Sequence, residues 1–412
     1  MNTLRFLTFN LALAASLLAP HLAAQARFET IHEFTGSPDG AIPVGLIAGS
    51  GGALYGTTVS GGAHGYGSVF ELQPPSTPGA PWTETVLYSF AGYSAGDGEV
   101  PAGPPAFGLN GALYGVTDSG GYFAGGAAFE LAPPSVAGGA WTETVLASLL
   151  GPGYCPCLGV VMGSGGEFYA ETITYLWPDY GEVFATVPPT SSGGSWTLSN
   201  IYVFPVDSAG VGRVPVGLTI SPAGVLYGAT TYGGSSGAGV IFELLPPTTP
   251  GGAWTEDNLY EFTGGTDGDA PLQPPVQASD GDLYGTTSGG GVNGTGVVYK
   301  LTPAPGGAWT ESVLYSFGKS GDGKTPNSSL VVQHGTIVGT TAAGTGAHYG
   351  GGTIFELQNP GGGGAWTETI LHGFANSAGP YGNLVLGKSG EIYGFTSSGG
   401  AAGMGTVYRI TH

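Results

Sequence analysis

Apolar residues fall in short runs that alternate with polar ones and stop at Gly, Pro, Ser or Asn. Past residue 26 no run holds the 3.6-residue period of an amphipathic helix. Val, Ile, Thr, Tyr, Phe and Trp fill the runs, which read as β-strands with glycine as the punctuation between them. One full round begins after Phe90. The loop AGYSAGDGEVP precedes a small-residue strand over 102–109, and Asn110-Gly111 sets a tight hairpin turn. A second strand over 112–117, the loop DSGGYFAGG and a third strand over 127–131 follow. Pro133-Pro134 ends the third, and a long fourth strand runs over 141–149. Each strand can pair with the one before it, giving a four-stranded antiparallel meander.

That round returns about every 56 residues. The fourth strand opens on Trp82, Trp141, Trp196, Trp254, Trp309 and Trp366, and a seventh copy without tryptophan is FETIHEF at 28–34. A second-strand phrase, LYG or a near variant, begins at Leu54, Leu113, Phe168, Leu226, Leu283, Ile337 and Ile392. A third-strand phrase of the form GxxFEL begins near Gly67, Gly126, Gly181, Gly239, Gly296, Gly352 and Gly405. A unit of this length cannot bury its apolar face alone, so copies must stack. Seven such units predict an all-β, seven-bladed β-propeller of four-stranded antiparallel blades. The blades are expected at about 41–90, 100–149, 155–204, 214–262, 270–317, 325–374 and 378–411 within a single domain over 27–412. The first strand, 27–34, is of the fourth-strand type, while the last blade lacks one. It should therefore supply that blade's outer strand and close the ring, whereas an open solenoid would need capping repeats instead.

Composition changes this picture little. The 81 glycines and 31 prolines would signal low complexity without a period, but here they separate strands. Residues 1–26 read as a secretory signal peptide: Arg5, an apolar core over 6–19, and small residues at Ala24-Gln25-Ala26 for cleavage. The expected destination is the periplasm or the medium, with no membrane span after cleavage. The formal charge of −20, from 28 acidic and 8 basic residues, would repel nucleic acid or an anionic membrane. A monomer is expected.

The order of a small-residue strand, LYGTTxxGG, GxVFELxPP and a tryptophan-led strand resembles kelch-type propeller repeats. More closely, LYGTTxxGGxxGxGxVFELxP resembles the GloVer tandem repeat of exported bacterial proteins over essentially all of residues 28–412. That resemblance implies export and no established reaction.

Candidate chemistry lies in two sets of loops that a propeller would bring to one face. The first is the recurring Asp-Gly loop at Asp39, Asp97, Asp267 and Asp322. It reads as turn chemistry, each Asp capping its own backbone, or as a ring of oxygen ligands for calcium. The second is the variable loop after LYG, with His64 and Tyr66, Asp118 and Tyr122, Tyr232, His348 and Tyr349. The third blade carries Tyr175, Trp177, Asp179 and Tyr180 there, the foremost candidate site. Aromatic plates beside Asp or Asn can stack on a sugar and bond its hydroxyls, or can simply close the loops. Cys155-Pro156-Cys157 replaces the usual loop in the third blade, leaving open a local disulfide, two free or externally paired thiols, or redox or metal chemistry.

Catalytic signals are sparse. The histidines after the leader sit at unrelated repeat positions, no zinc spacing appears, and the glycine loops lack the Lys and helix of a phosphate cradle. Glutamates of WTET (Glu84, Glu143, Glu256, Glu311 and Glu368) recur with the fold, which marks them as structural. The expectation is a non-catalytic, cofactor-free propeller that binds a glycan or another surface polymer. The rivals are a glycan hydrolase or lyase using Asp118 and Asp179, and a purely structural envelope protein.

Overall fold

A computed structural model describes residues 26–108, 111–136, 138–149, 154–156, 158–174, 181–191, 194–205, 214–249, 251–333, 335–344, 350–359, 361, 363–375 and 379–411, excluding the side chains of 154–156 and 174. Seven antiparallel sheets follow one another round a ring. From the innermost strand outward, blade 1 is Gly40–Ala48, Leu54–Gly61, Ser68–Gln73 and Thr83–Ser89. Blade 2 is Gly98–Pro101 with Ala106–Phe107, then Leu113–Gly120, Ala127–Ala132 and Thr142–Ser148. Blade 3 is Tyr154–Pro156 with Val161–Met162, then Phe168–Thr174, Glu182–Val187 and Thr197–Val203. Blade 4 is Pro215–Ile220, Leu226–Thr230, Val240–Leu245 and Thr255–Glu261. Blade 5 is Val276–Gln277, Leu283–Thr287, Val297–Pro303 and Trp309–Ser316. Blade 6 is Gly323–Pro326 with Val331–Gln333, then Thr336–Gly344, Thr353–Gln358 and Thr367–Gly373. Blade 7 is Pro380–Leu386, Ile392–Thr396 and Thr406–Thr411, completed on its outer side by Arg27–Glu33. In that closing ladder Arg27 faces Thr411 and Glu33 faces Thr406, as the terminal units require.

The refrain now has a physical content. The glycine of LYG is the cross-strand partner of the third-strand aromatic, as Gly56 is of Phe70 and Gly285 of Tyr299. The ring lies over the glycine, where a Cβ would collide with it. At five of the seven joints a phenylalanine closing the outer strand meets the third-strand ring of the next blade edge-on: Phe34–Phe70, Phe90–Phe129, Phe204–Phe242, Phe262–Tyr299 and Phe317–Phe355, with centroids 5.0 to 5.2 Å apart. The tryptophan leading an outer strand packs on the LYG tyrosine of the preceding blade, as Trp254 does on Tyr169 and Trp309 on Tyr227. Trp82 reaches Tyr393 in the same way, which carries the joint across the closure of the ring.

A further joint pairs glycine with proline. The glycine opening the third strand of blades 1, 3, 4, 5 and 7 abuts a proline at or just before the first strand of the next blade, as Gly239 does Pro271 and Gly405 does Pro43. Just before that proline, Ile42, Val100, Ala270 and Thr325 each hold a positive φ of 54 to 59°. Their N–H groups thereby turn to carbonyls in the neighbouring blade's loop, those of Met404, Tyr66, Ala238 and Thr295, at 2.8 to 3.0 Å.

The first strands differ from the sequence expectation. A continuous strand over 102–109 is not formed in blade 2: pairing stops at Pro101 and resumes at Ala106. Between them Gly103 takes φ of +71° and Pro104-Pro105 offers no N–H to the ladder.

Candidate functional site

In blades 1, 2 and 5 the loop that enters the blade and the loop between its second and third strands meet on one face. Gly62 donates its N–H to the Asp39 carbonyl, and Gly121 donates to that of Asp97 at 2.7 Å. The Asp-Gly carboxylates tie these loops to the outer strands. Asp97 accepts from the Tyr88 hydroxyl at 2.8 Å, the Ala91 N–H at 2.7 Å and the Gly98 N–H at 2.6 Å. Asp267 accepts from Tyr260 and from the N–H and hydroxyl of Thr263, while Asp322 accepts from Tyr315 and the N–H groups of Gly318 and Lys319. Asp39 accepts from Thr35 and Gly40 and lies 3.7 Å from His32. Burial opposes ionisation of Asp39 and Asp267, yet these donors hold both carboxyls below their usual range. Donors occupy the acids in the manner of turns. Among the described residues no group of three or more His, Cys, Asp or Glu could hold a metal ion.

Each of these aspartates faces a WTET glutamate of the blade it introduces. Burial, and after it the Asp39 carboxylate, pushes Glu84 up to about 7. Burial followed by Asp97 takes Glu143 to about 8, and burial followed by Asp267 takes Glu311 to about 7. Glu368 is raised in the same way beside Asp322. One oxygen, Oε1, of each of the four is buried without a hydrogen-bond partner.

Aromatic residues gather where blade 1 passes into blade 2. The connecting loop is two residues longer than its counterparts at 35–43, 263–271 and 318–326, and its insertion carries Tyr93 in a short 3-10 turn. The Tyr66 ring covers Gly92, where a Cβ would stand 2.8 Å from it, and Tyr122 covers Gly96. Tyr93 between them is 52% exposed, Tyr122 is 68% and Phe123 is 54%. The Glu99 carboxylate anchors the turn by accepting the Tyr93 N–H at 2.6 Å. His64 is exposed in the same loop as Tyr66, and Tyr232 is exposed on blade 4. The structure thus brings Tyr66 and Tyr122 together around Tyr93, which sequence reasoning passed over although the longer loop marks it. Tyr175, Trp177, Asp179, Tyr180, His348, Tyr349, Cys157 and the side chain of Cys155 lie outside the described residues.

First strands from all seven blades enclose a central cavity of about 630 Å³. Its wall is mainly apolar, with Val44, Val100, Leu158, Leu218, Leu330 and Leu384 contributing. Asp118 lies on this wall, and burial raises its carboxyl above the usual value. Glu171 lies there too, 5% exposed, and burial pushes its carboxyl up to about 8 against the pull of the Gly217 N–H bonded to Oε2. Its Oε1 is buried without a partner. Glu171 also escaped sequence reasoning, yet the third copy of LYGTT reads FYAET and so carried the signal. At this repeat position Thr57 and Thr286 instead donate their hydroxyls to the Gly103 and Ser328 carbonyls of the next blade.

Among the described residues no helix is long and apolar enough to cross a membrane. A family model described as the Gloeobacter/Verrucomicrobia repeat matches residues 21–197 and 214–412. No curated protein matches the chain. Similar solved structures include the PQQ-bound aldose sugar dehydrogenase of Streptomyces coelicolor, 14% identical, with 94% of this chain and 98% of that one covered and a TM-score of 0.46. A Hadza microbial sialidase is 13% identical over 90% of this chain and 65% of its own, with a TM-score of 0.43. The sialidase of Trypanosoma rangeli is 10% identical over 94% and 58%, with a TM-score of 0.41. At these levels the likenesses carry no chemistry across.

Proposed function

The chain belongs to the Gloeobacter/Verrucomicrobia repeat family, and from a molecule built almost wholly of that repeat we propose an exported binding propeller that holds a glycan or another surface polymer on its loop face. The repeated residues are consumed by joints between blades, which leaves recognition to whatever departs from the repeat. The observation that carries the reading is the shelf of Tyr66, Tyr93, Tyr122 and Phe123 on adjoining loops. Exposed rings there offer flat apolar faces to a sugar, with hydroxyls at the edge for its polar groups. Export rests on the leader-like residues 1–26, and an intact mass of the exported protein beginning at Arg27 checks it.

A polysaccharide array on the leaderless protein, with product analysis by mass spectrometry, tests the binding reading. Binding without turnover is expected, and Tyr93→Ala or Tyr122→Ala should each weaken it roughly two- to tenfold. Silence on the array, or binding indifferent to both substitutions, would sink the proposal. A second reading, hydrolysis, draws on the presence of both Asp118 and Glu171 on the cavity wall. Cleaved products that disappear in Asp118→Asn would establish it in place of simple binding.

A further inference from the structure

The aromatic shelf between blades 1 and 2 stands in a one-sided charge setting. No Lys or Arg occurs between Arg27 and Arg213, so blades 1, 2 and 3 carry none, while 15 of the 28 acidic residues fall in that stretch. An acidic polymer would find no ammonium or guanidinium partner there and would meet repulsion. His64, exposed in the Tyr66 loop, is the one base of blades 1 and 2. Among the rings of the shelf lies a carboxylate. A Cβ placed on Gly92 would stand 2.8 Å from the Tyr66 ring and 3.1 Å from Oε1 of Glu99, so ring and carboxylate converge on one spot. That oxygen accepts the N–H of Tyr93, which fixes the carboxylate beside the exposed Tyr93 ring. The other oxygen, Oε2, accepts no hydrogen bond from a described residue and keeps surface open to solvent. Among the described residues no ion pair neutralises Glu99.

We propose that the shelf selects an amino-sugar polymer whose amines are free, its sugar rings lying on the tyrosines and an ammonium group meeting Oε2 of Glu99. This rests on the glycan reading of the loop face and narrows it to a cationic class. Tyrosine and phenylalanine faces stack on the apolar side of a sugar and also attract a positive charge. A carboxylate at their edge adds a charge-assisted hydrogen bond from the ammonium N–H. A neutral sugar gains the stacking alone. An acidic sugar gains the stacking and loses it again to repulsion from three blades that carry no Lys or Arg.

Calorimetry of the leaderless chain with oligomers of glucosamine, N-acetylglucosamine and galacturonic acid, matched in length, tests this in weakly acidic buffer where the free amines are charged. The glucosamine oligomer should bind about tenfold more tightly than its acetylated form, and the acidic oligomer not measurably. That preference should shrink to about twofold in ~1 M salt, where the screening length falls to ~3 Å. Glu99→Gln keeps an acceptor for the Tyr93 N–H and should remove most of the preference, whereas Tyr93→Ala should weaken both sugars. Equal affinity for the free and acetylated amines, or a preference indifferent to salt and to Glu99→Gln, would overturn the proposal and leave the glycan reading in place. A lysine oligomer bound as tightly as the glucosamine one would overturn it too, since charge alone would then be read. No binding of the glucosamine oligomer also overturns it, and the glycan reading falls with it only if the polysaccharide array is silent as well. Should Glu99→Gln fail to fold, the effect of acetylation and its salt dependence in the native chain decide alone.

Discussion

At the scale of single residues, the least expected feature is the left-handed backbone at Ile42, Val100, Ala270 and Thr325. A residue before proline ordinarily extends, and an L-residue at positive φ costs about 1–2 kcal/mol. The cost is met because each N–H is thereby aimed at a carbonyl of the neighbouring blade. Ala270→Gly keeps that bond and removes the steric penalty while adding chain entropy to be lost. The net gain should be about 0.5–1 kcal/mol, read as a raised denaturation midpoint; a lowered midpoint would show the backbone there to be unstrained. Nothing in the D-G-x-x-P phrase announces this conformation, because it is imposed by the next blade rather than by local preference. Glu171 and Tyr93 differ in kind: each breaks the repeat, so both were legible as departures. What their sequence could not convey is burial at one and a shared shelf at the other.

At the scale of elements, strands two to four of each blade were legible because they keep a period of two and end at Gly, Pro or Asn-Gly. The innermost strands were not, since Gly and Pro enter them and small residues give little periodic signal. The one-residue register shift between every third and outer strand was also hidden, as with Val69 and Phe70 against Tyr88 and Val86. The Gly–Pro joint binds these elements across blades. At Gly239, with φ of +100°, a Cβ would stand 2.5 Å from Pro271 Cδ and 2.6 Å from the Thr230 carbonyl oxygen. Neither backbone nor ring can withdraw easily, so Gly239→Ala should destabilise by about 1–3 kcal/mol in urea unfolding. A neutral substitution would mean that blades 4 and 5 can part there at no cost.

At the scale of the whole molecule, the paired acids link the ring to pH. Glu84, Glu143, Glu311 and Glu368 hold protons in the fold that they would release when unfolded. Their contribution is complete below the free carboxyl value of 4.5 and is lost as pH rises through about 7 to 8. Asp39 and Asp267 act oppositely: their contribution is present above 3.8 and is lost as pH falls below it. Thermal stability should therefore be greatest on the acid side and fall from about pH 5 to about pH 9, with Glu143→Gln flattening the decline. A melting temperature that climbs over that interval would contradict the assignment. The closing sheet has a consequence of another sort, one of timing. Among the strands of the ring Arg27–Glu33 comes first along the chain, and its partner Thr406–Thr411 comes last. Until both have been made, blade 7 presents a bare strand edge and blade 1 has no neighbour on one side. The ring can close only once Thr406–Thr411 has been made, so anything that keeps the open edge from pairing with other copies must act before that moment.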